Sequence, residues 1–283
     1  YEGSGTNIAG IYVDGVLENS GTIPAPGTVN GGFTIGAFLG GVGYFNGLID
    51  EAAIYNRTLT TDEINKSYND GLGRIGLWRM DGDWTDASGN GNNGTAYNGA
   101  AFSPDARVGA QAGSFDGVND YTNVKSSALV ANSAQNSVEA WVYLTAIGSA
   151  TKTIYAENSS GGVVFTLGVA PTGKPFFAVW RSDVPGNWLT AESGAPVSIN
   201  QWHHIVGTLD GSGMKIYVNG LLSGTHANTM PSNGAITEAS IARISNLGGA
   251  DFLAGKIDEV AVYNRALTAE EIQAYYNHLT PPT

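Results

Sequence analysis

The sequence predicts an all-β protein, a β-sandwich or jelly roll, in which each of two repeated segments ends in a short helix. Three observations carry that reading. Glycine occurs 40 times in 283 residues while charged residues make up only 13%, a composition of many turns and hence many short strands. Between residues 74 and 254 the apolar runs are short, and each is bounded by Gly, Pro, Asn or Asp. Finally, "GLIDEAAIYNRTLTTDEI" (47–64) returns as "GKIDEVAVYNRALTAEEI" (255–272), and internal repeats of this kind govern how the whole chain is divided.

The repeat extends upstream. "YEGSG" (1–5) matches "LDGSG" (209–213), and "IYVDG" (11–15) matches "IYVNG" (216–220). Residues 1–73 therefore correspond to the closing third of a unit that spans residues 74–279, and everything equivalent to residues 74–208 is absent from the first copy. In "LIDEAAIYN" and "KIDEVAVYN" apolar residues alternate with others, as in a strand with one buried face. A helix start follows. Thr60 with Glu63, and Thr268 with Glu271, have capping-box spacing, while Leu59 with Ile64, and Leu267 with Ile272, have hydrophobic-staple spacing. Gly71 stops the first helix. Within the second copy, "NSVEAWVYLTA", "GVVFTLGVA", "KPFFAVWRS", "WHHIVGTLD" and "MKIYVNGLLSG" read as strands. "DGSG" and "VNG" supply the positive-φ residues that hairpins need. Residues 280–283, with their prolines, read as a linker remnant. Residue 1 is Tyr rather than Met, and the expectation is a piece of a longer polypeptide.

The string "LWRMDG…DASGNGNNGT…GSFDGVNDYTNV…SVEAWVYL…INQWHHIVGTLDGSGMKIYVNGLL…LAGKIDEVAVYNRALTAEEI" resembles the bacterial laminin G-like domains of the concanavalin A-like superfamily. The likeness runs from residue 74 to about 278, and residues 1–73 resemble only the closing third of the same domain. The resemblance implies a two-sheet antiparallel jelly roll, non-catalytic and part of a large secreted or surface protein, with calcium and a glycan or an extracellular protein as ligands.

The net charge of −12 argues against nucleic acid or an anionic membrane, which demand clustered Lys and Arg. There is no Cys, so thiolate chemistry and disulfide staples are excluded. No apolar run is long enough to span a bilayer, and no membrane insertion is expected. The E-x-D-x-x-E string of glycanases on this fold is missing. "SFDGVNDYT" departs from the S-x-D-x-G-x-T-W box of sialidases in its Gly and lacks the Trp. Catalysis is not expected, and a glycoside hydrolase on the same fold stands last among the alternatives. Ahead of it stands an adhesion or spacer module that meets other proteins without binding glycan.

Two residue sets are candidate sites. Asp86, Ser88, Asn90 and Asn92 occupy alternate positions as at the start of an EF-hand loop, but Tyr97 stands where that loop needs a bidentate Glu. By resemblance to sandwiches that hold calcium between first and last strands, the expected ligands come from Asp81, Asp86, Asn90, Asn92, Asp116 and Asp258. Against this, Asp, Asn and Gly can simply make turns. The second set is Trp180, Arg181, Asp183 and Trp188, a ring, a cation and a carboxylate in one neighbourhood. Alternation lets Trp180 equally face the core. Trp78, Trp141 and Trp202 are expected inside by the family pattern. His203 and His204 fall on opposite faces of a strand and cannot share one ligand. Arg57 and Arg265 are expected to tie a strand end to a carboxylate or carbonyl. Residues 1–73, lacking the strands that would cover them, are expected to be completed by an upstream segment or another chain.

Overall fold

Short apolar runs flanked by turn residues become the strands of two facing antiparallel sheets. The computed structural model describes residues 7–23, 34–38, 42–49, 52–125, 129–159, 162–244 and 251–279. The expected linker remnant 280–283 and the repeated Asp50–Glu51 lie outside these residues. The chain divides into two compact units, residues 1–68 and 69–283.

In the first unit, β1 (Asn7–Val13) and β2 (Val16–Ile23) form a hairpin, and β3 (Ala37–Phe38) pairs with β4 (Val42–Tyr44). Asp14 and Gly15, at φ +52° and +79°, make the two-residue turn whose twist matches that of the strands. A bulge interrupts the register between Ile11 and Tyr12. The helix α1 (Thr61–Gly71) opens on the capping box: Thr60 N–H donates to Glu63 Oε2 (2.9 Å) and Glu63 N–H to Thr60 Oγ1 (3.2 Å). Arg57 grips the same carboxylate with two bonds of 2.7 Å.

The second unit carries β5 (Arg74–Trp78), β6 (Thr95–Tyr97), β7 (Ala101–Ser103), β8 (Ala112–Asp116) and β9 (Tyr121–Lys125). Longer strands follow: β10 (Asn136–Leu144), β11 (Lys152–Ser159), β12 (Gly162–Val169), β13 (Pro175–Trp180) and β14 (Trp188–Glu192). The chain then closes with β15 (Trp202–Asp210), β16 (Gly213–Val218), β17 (Leu221–His226), β18 (Ile236–Ile241), β19 (Ala254–Tyr263) and helix α2 (Ala269–Leu279). One sheet runs β17-β16-β15-β10-β19-β8-β7, with β5 also paired to β19; the other runs β14-β13-β12-β11-β18-β9-β6. This is the expected two-sheet antiparallel jelly-roll sandwich with a short C-terminal helix.

Alternation fixes which side chains meet. In β10, Val138, Ala140, Val142 and Leu144 point into the core with Ile154, Phe165, Phe177, Ile205 and Ile257. Residues between them turn toward the outer face, where Leu77, Val206, Tyr217, Ala261, Tyr263, Leu267 and Ile272 make a second apolar layer that includes the staple residues of α2. Several polar groups beneath that helix are paired, although Trp141 Nε1 and His204 Nδ1 are not. Glu139 accepts bonds from Tyr263 OH and the His204 ring, and Arg74 donates to Tyr263 and Asn69. At one margin the two sheets are laced together: Gly194 N–H donates to Ser223 O (2.8 Å) and the Ser193 and Ser223 hydroxyls lie 2.7 Å apart. Gly224 sits in this lacing, where an added Cβ would lie 1.9 Å from the Glu192 carbonyl oxygen. Gly224→Ala is expected to destabilise the protein by about 2–4 kcal/mol in urea unfolding. Gly211→Ala, whose added carbon meets nothing within 4 Å, should change stability by no more than about 0.5 kcal/mol.

Candidate functional site

The hairpin β13–β14 sends alternate residues to opposite sides. Phe177, Val179 and Ala191 are buried in the core. Their neighbours Phe176, Ala178, Trp180, Trp188, Thr190 and Glu192 therefore share the outer face of the seven-stranded sheet, with Trp180 directly opposite Trp188 in the register. A depression of about 340 Å³ opens on this face, walled by Phe176, Ala178 and Trp188 and bearing Thr190, Glu192 and Asp251. Trp188 is 40% exposed. Partial burial raises the Asp251 carboxyl above the ordinary Asp range, with Lys152 pulling the other way.

Of the four residues singled out from sequence, Trp188 lines the depression and Trp180, half-buried, stands across from it. Arg181 and Asp183 do other work. Their side chains form a bidentate pair (2.9 and 2.6 Å), Arg181 Nη1 donates to Pro231 O (2.6 Å), and Asn233 bonds both Ser182 and Asp183. Arg181 holds the Asp183 carboxyl below its ordinary range. The pair ties the turn between β13 and β14 to the Pro231–Asn233 segment. Glu192 and Asp251 were not anticipated. For Glu192 the signal existed, since it lies two and four residues beyond Thr190 and Trp188 on one strand face. Asp251 reaches the depression only through the fold.

Of the three tryptophans expected inside, Trp78 and Trp141 are buried and Trp202 is not fully so. Trp78 is fully buried and donates Nε1–H to Asn92 O (2.8 Å). Trp141 is buried against Tyr276 and Arg107, and Trp202 is half-buried against Tyr143. His203 bonds Ser198 O, whereas His204 bonds Glu139, so the adjacent imidazoles join separate networks. Arg265 repeats the role of Arg57: it grips Glu271 through two bonds of 2.8 Å and donates Nε–H to Leu72 O.

The six expected calcium ligands separate into three places. Asp86 accepts from the N–H groups of Leu77, Ser88 and Asn92, while Asn90 bonds Ser88 Oγ and Asn92 Nδ2 bonds Ile75 O. These residues build an Asx-rich turn that ties the loop to β5. Asp116 accepts from Val118, Asn119 and Asp120 N–H, which lowers its carboxyl value. Asp81 and Asp258 come together at the loop 107–111. Asp258 Oδ2 accepts from Arg107 and Val108 N–H (both 2.9 Å), and Asp81 Oδ1 accepts from Ala110 and Gln111 N–H (2.6 and 3.0 Å). Asp258 is fully buried and its Oδ1 has no partner. Among the described residues, no group of three or more His, Cys, Asp or Glu is arranged to hold a metal.

The chain belongs to the concanavalin A-like lectin/glucanases superfamily, whose family model matches residues 1–65 and 116–273. A comparison with curated proteins found no match. Among solved structures, domain 4 of AbnA, a GH43 extracellular arabinanase from Geobacillus stearothermophilus solved with arabinotriose, is 20% identical with TM-score 0.59, covering 72% of this chain and 98% of that domain. Trypanosoma rangeli sialidase in complex with 2,3-difluorosialic acid is 18% identical with TM-score 0.51, covering 72% of this chain and 32% of that one. The binding domain of Paraclostridial Mosquitocidal Protein 1 is 15% identical with TM-score 0.58, covering 76% and 53%. At these identities the likeness is one of fold. The chain spans about a third of the sialidase and about half of the toxin domain.

Burial, helped by the nearby Asp81, raises Asp258 to about 6 and Glu259 to about 7, against the opposing pull of backbone N–H groups at Asp258 and of Arg79 at Glu259. In the metal-free protein, the folded state then holds protons that an unfolded chain has released above about pH 4. Stability from these groups is complete below about pH 4 and is lost as pH rises through about 6 and 7. Urea midpoints measured in EDTA should fall across that window, and Asp258→Asn should flatten part of the slope. A midpoint that rises steadily from pH 4 to 7 would contradict the assignment.

Proposed function

We propose that residues 69–279 form a non-catalytic carbohydrate-recognition module of a secreted or cell-surface protein, and that the depression at Trp188 takes a neutral sugar. The carrying observation is a large aromatic ring, two-fifths exposed, on a regular strand beside two carboxylates and a hydroxyl. A sugar presents an apolar C–H face that can lie on such a ring, and its hydroxyls can donate to Glu192 and Asp251. Two carboxylates at the rim favour neutral over acidic sugars. The arabinanase domain solved with arabinotriose supports a saccharide ligand on this fold. Lys174, 3.9 Å from Glu192, and the missing glycanase string support binding without cleavage. Trp188→Ala should weaken polysaccharide binding by the full chain at least about tenfold in titration calorimetry and leave the unfolding midpoint unchanged. If a glycan array detects no ligand for the unaltered chain, the adhesive or spacer reading takes its place. Release of sugar by the purified chain would end the non-catalytic reading.

A calcium ion at Asp258 and Asp81 is a second reading, favoured by the buried, unpartnered Asp258 Oδ1. Calcium takes 6–8 oxygens, so backbone carbonyls and water would complete the shell. The ion, when bound, supplies the positive charge that the two carboxylates lack. It would join β19 to the loop before β8 in a protein without disulfides. Ligand linkage contributes roughly 2.7 kcal/mol at a hundredfold excess over Kd. EDTA is expected to lower the melting temperature and added calcium to restore it, with Asp258→Asn insensitive to both. Elemental analysis without metal, together with no effect of EDTA, would remove the ion from this account.

Residues 1–73 are, in the same reading, the closing third of a first copy of a bacterial laminin G-like domain. Support comes from shared local geometry. Asp14-Gly15 and Asn219-Gly220 make the same turn, with φ +52° and +79° against +52° and +80°. The bulge at Ile11/Tyr12 recurs at Ile216/Tyr217. The capping box and the Arg–Glu grip recur at Thr268, Glu271 and Arg265.

A further inference from the structure

Local and long-range contacts part company in the first unit. Everything specified within a few residues is formed as in the second unit, yet the apolar face is bare. Ile11 is 65% exposed where Ile216 is 0%; Ile54 is 75% exposed where Val262 is 0%; Tyr55 is 52% exposed where Tyr263 is 3%. Ile49 and Ile257 differ in the same sense. In the second unit, residues 260–263 are strand, paired on one edge with Arg74–Trp78 and on the other with β10, while Ile257 lies opposite Gly113 of β8. Residues 52–55 carry the same alternation but lie in no strand. The strands that pair with 257–263 in the second copy are thus known residue by residue, and all of them belong to residues 74–208.

From this pattern, which rests on reading residues 1–73 as a partial copy, we infer that Ile11, Ile49 and Ile54, whose counterparts Ile216, Ile257 and Val262 all face the sandwich core, mark a docking surface for a laminin G-like β-segment with strands of the β5, β8 and β10 kind. The occupant pairs by backbone hydrogen bonds along residues 52–55 and inserts an alternating apolar face against these three side chains. Selectivity follows from the bulge and turn, which fix the register of the hairpin before the partner arrives. An apolar face of this extent on otherwise polar, low-charge sequence marks an interaction site.

The test uses the full chain, alone and with residues 74–208 of this sequence fused ahead of residue 1 through a flexible linker. Hydrogen exchange of residues 47–64 is compared with that of 255–272. In the unaltered chain, 47–64 should exchange far faster. In the extended chain they should slow by about a hundredfold or more, and Ile54→Asp in that chain should reverse the gain. Three results overturn the proposal: 47–64 already protected in a monomer, a stable dimer of the unaltered chain with 47–64 protected (a second copy as occupant), or no gain in the extended chain. The amides of the Asp14-Gly15 turn and the Thr60–Glu63 cap separate two kinds of failure. If they are protected while 52–55 are not, docking fails and the partial-copy reading stands. If they are unprotected too, both fail.

Discussion

The second unit depends on one strand. β19 lies inside the eight-stranded sheet, bonded to β10 on one edge and to β8 and β5 on the other, and it is buried on both faces. It must therefore offer apolar groups to two different layers. Ile257, Val260 and Val262 face the sandwich core, while Ala261 and Tyr263 face the layer under α2. Core-facing residues at 257 and 260 break the two-residue period, which an ideal strand cannot do. The break is absorbed by a bulge: between Glu139 and Trp141 of β10, β19 spends one extra residue, and Glu259 takes φ +50°. A non-glycine residue in the left-handed region carries strain that its surroundings must hold in place.

That bulge also explains the electrostatics. By adding a residue, it brings two consecutive acidic side chains into buried positions, and burial disfavours the charged form of each. Asp258 recovers part of the lost hydration through two backbone N–H groups of the loop 107–111. Its other oxygen recovers none. Glu157 shows the contrasting solution. It is equally buried, yet three successive N–H groups and the Tyr155 hydroxyl bond its carboxylate. Unsatisfied buried oxygen is costly, and Asp258 carries one where Glu157 does not.

How much could be read beforehand follows the range of the interaction. The capping boxes, the staples, the Asn-Gly and Asp-Gly turns and the opposite facing of His203 and His204 were legible because each is decided within about five residues. Trp78 and Trp141 were placed inside by family pattern, and the core confirms it. Asp86, Asn90 and Asn92 were legible as an oxygen-rich loop that could bind a cation or simply make turns, and sequence left the choice open because backbone N–H groups compete for the same oxygens that would bind a cation. Arg181 and Asp183 looked available because sequence does not show that the Pro231–Asn233 segment, some 50 residues on, arrives to fix their paired side chains in place. The Asp251 contribution was invisible, because it arrives at the Trp188 depression from a segment separated by several strands. The bulge was written as a three-residue step from Ile257 to Val260, but plain alternation hides it.

The same separation of ranges governs the two copies. Short-range instructions are complete in residues 1–73 and yield the same turn, bulge, cap and Arg–Glu grip as in residues 209–279. Burial is not a short-range property, and a strand built like β19 has no face meant for water. A unit as small as the first encloses little apolar surface to offset its conformational entropy. In the second copy that entropy is offset only because β10 and β5 precede the closing strand in the chain and meet it across the sheet. Ile49 and Ile54 thus differ from Ile257 and Val262 in burial, and that difference follows the strands that stand opposite the second pair rather than the turn, cap and grip the two segments share.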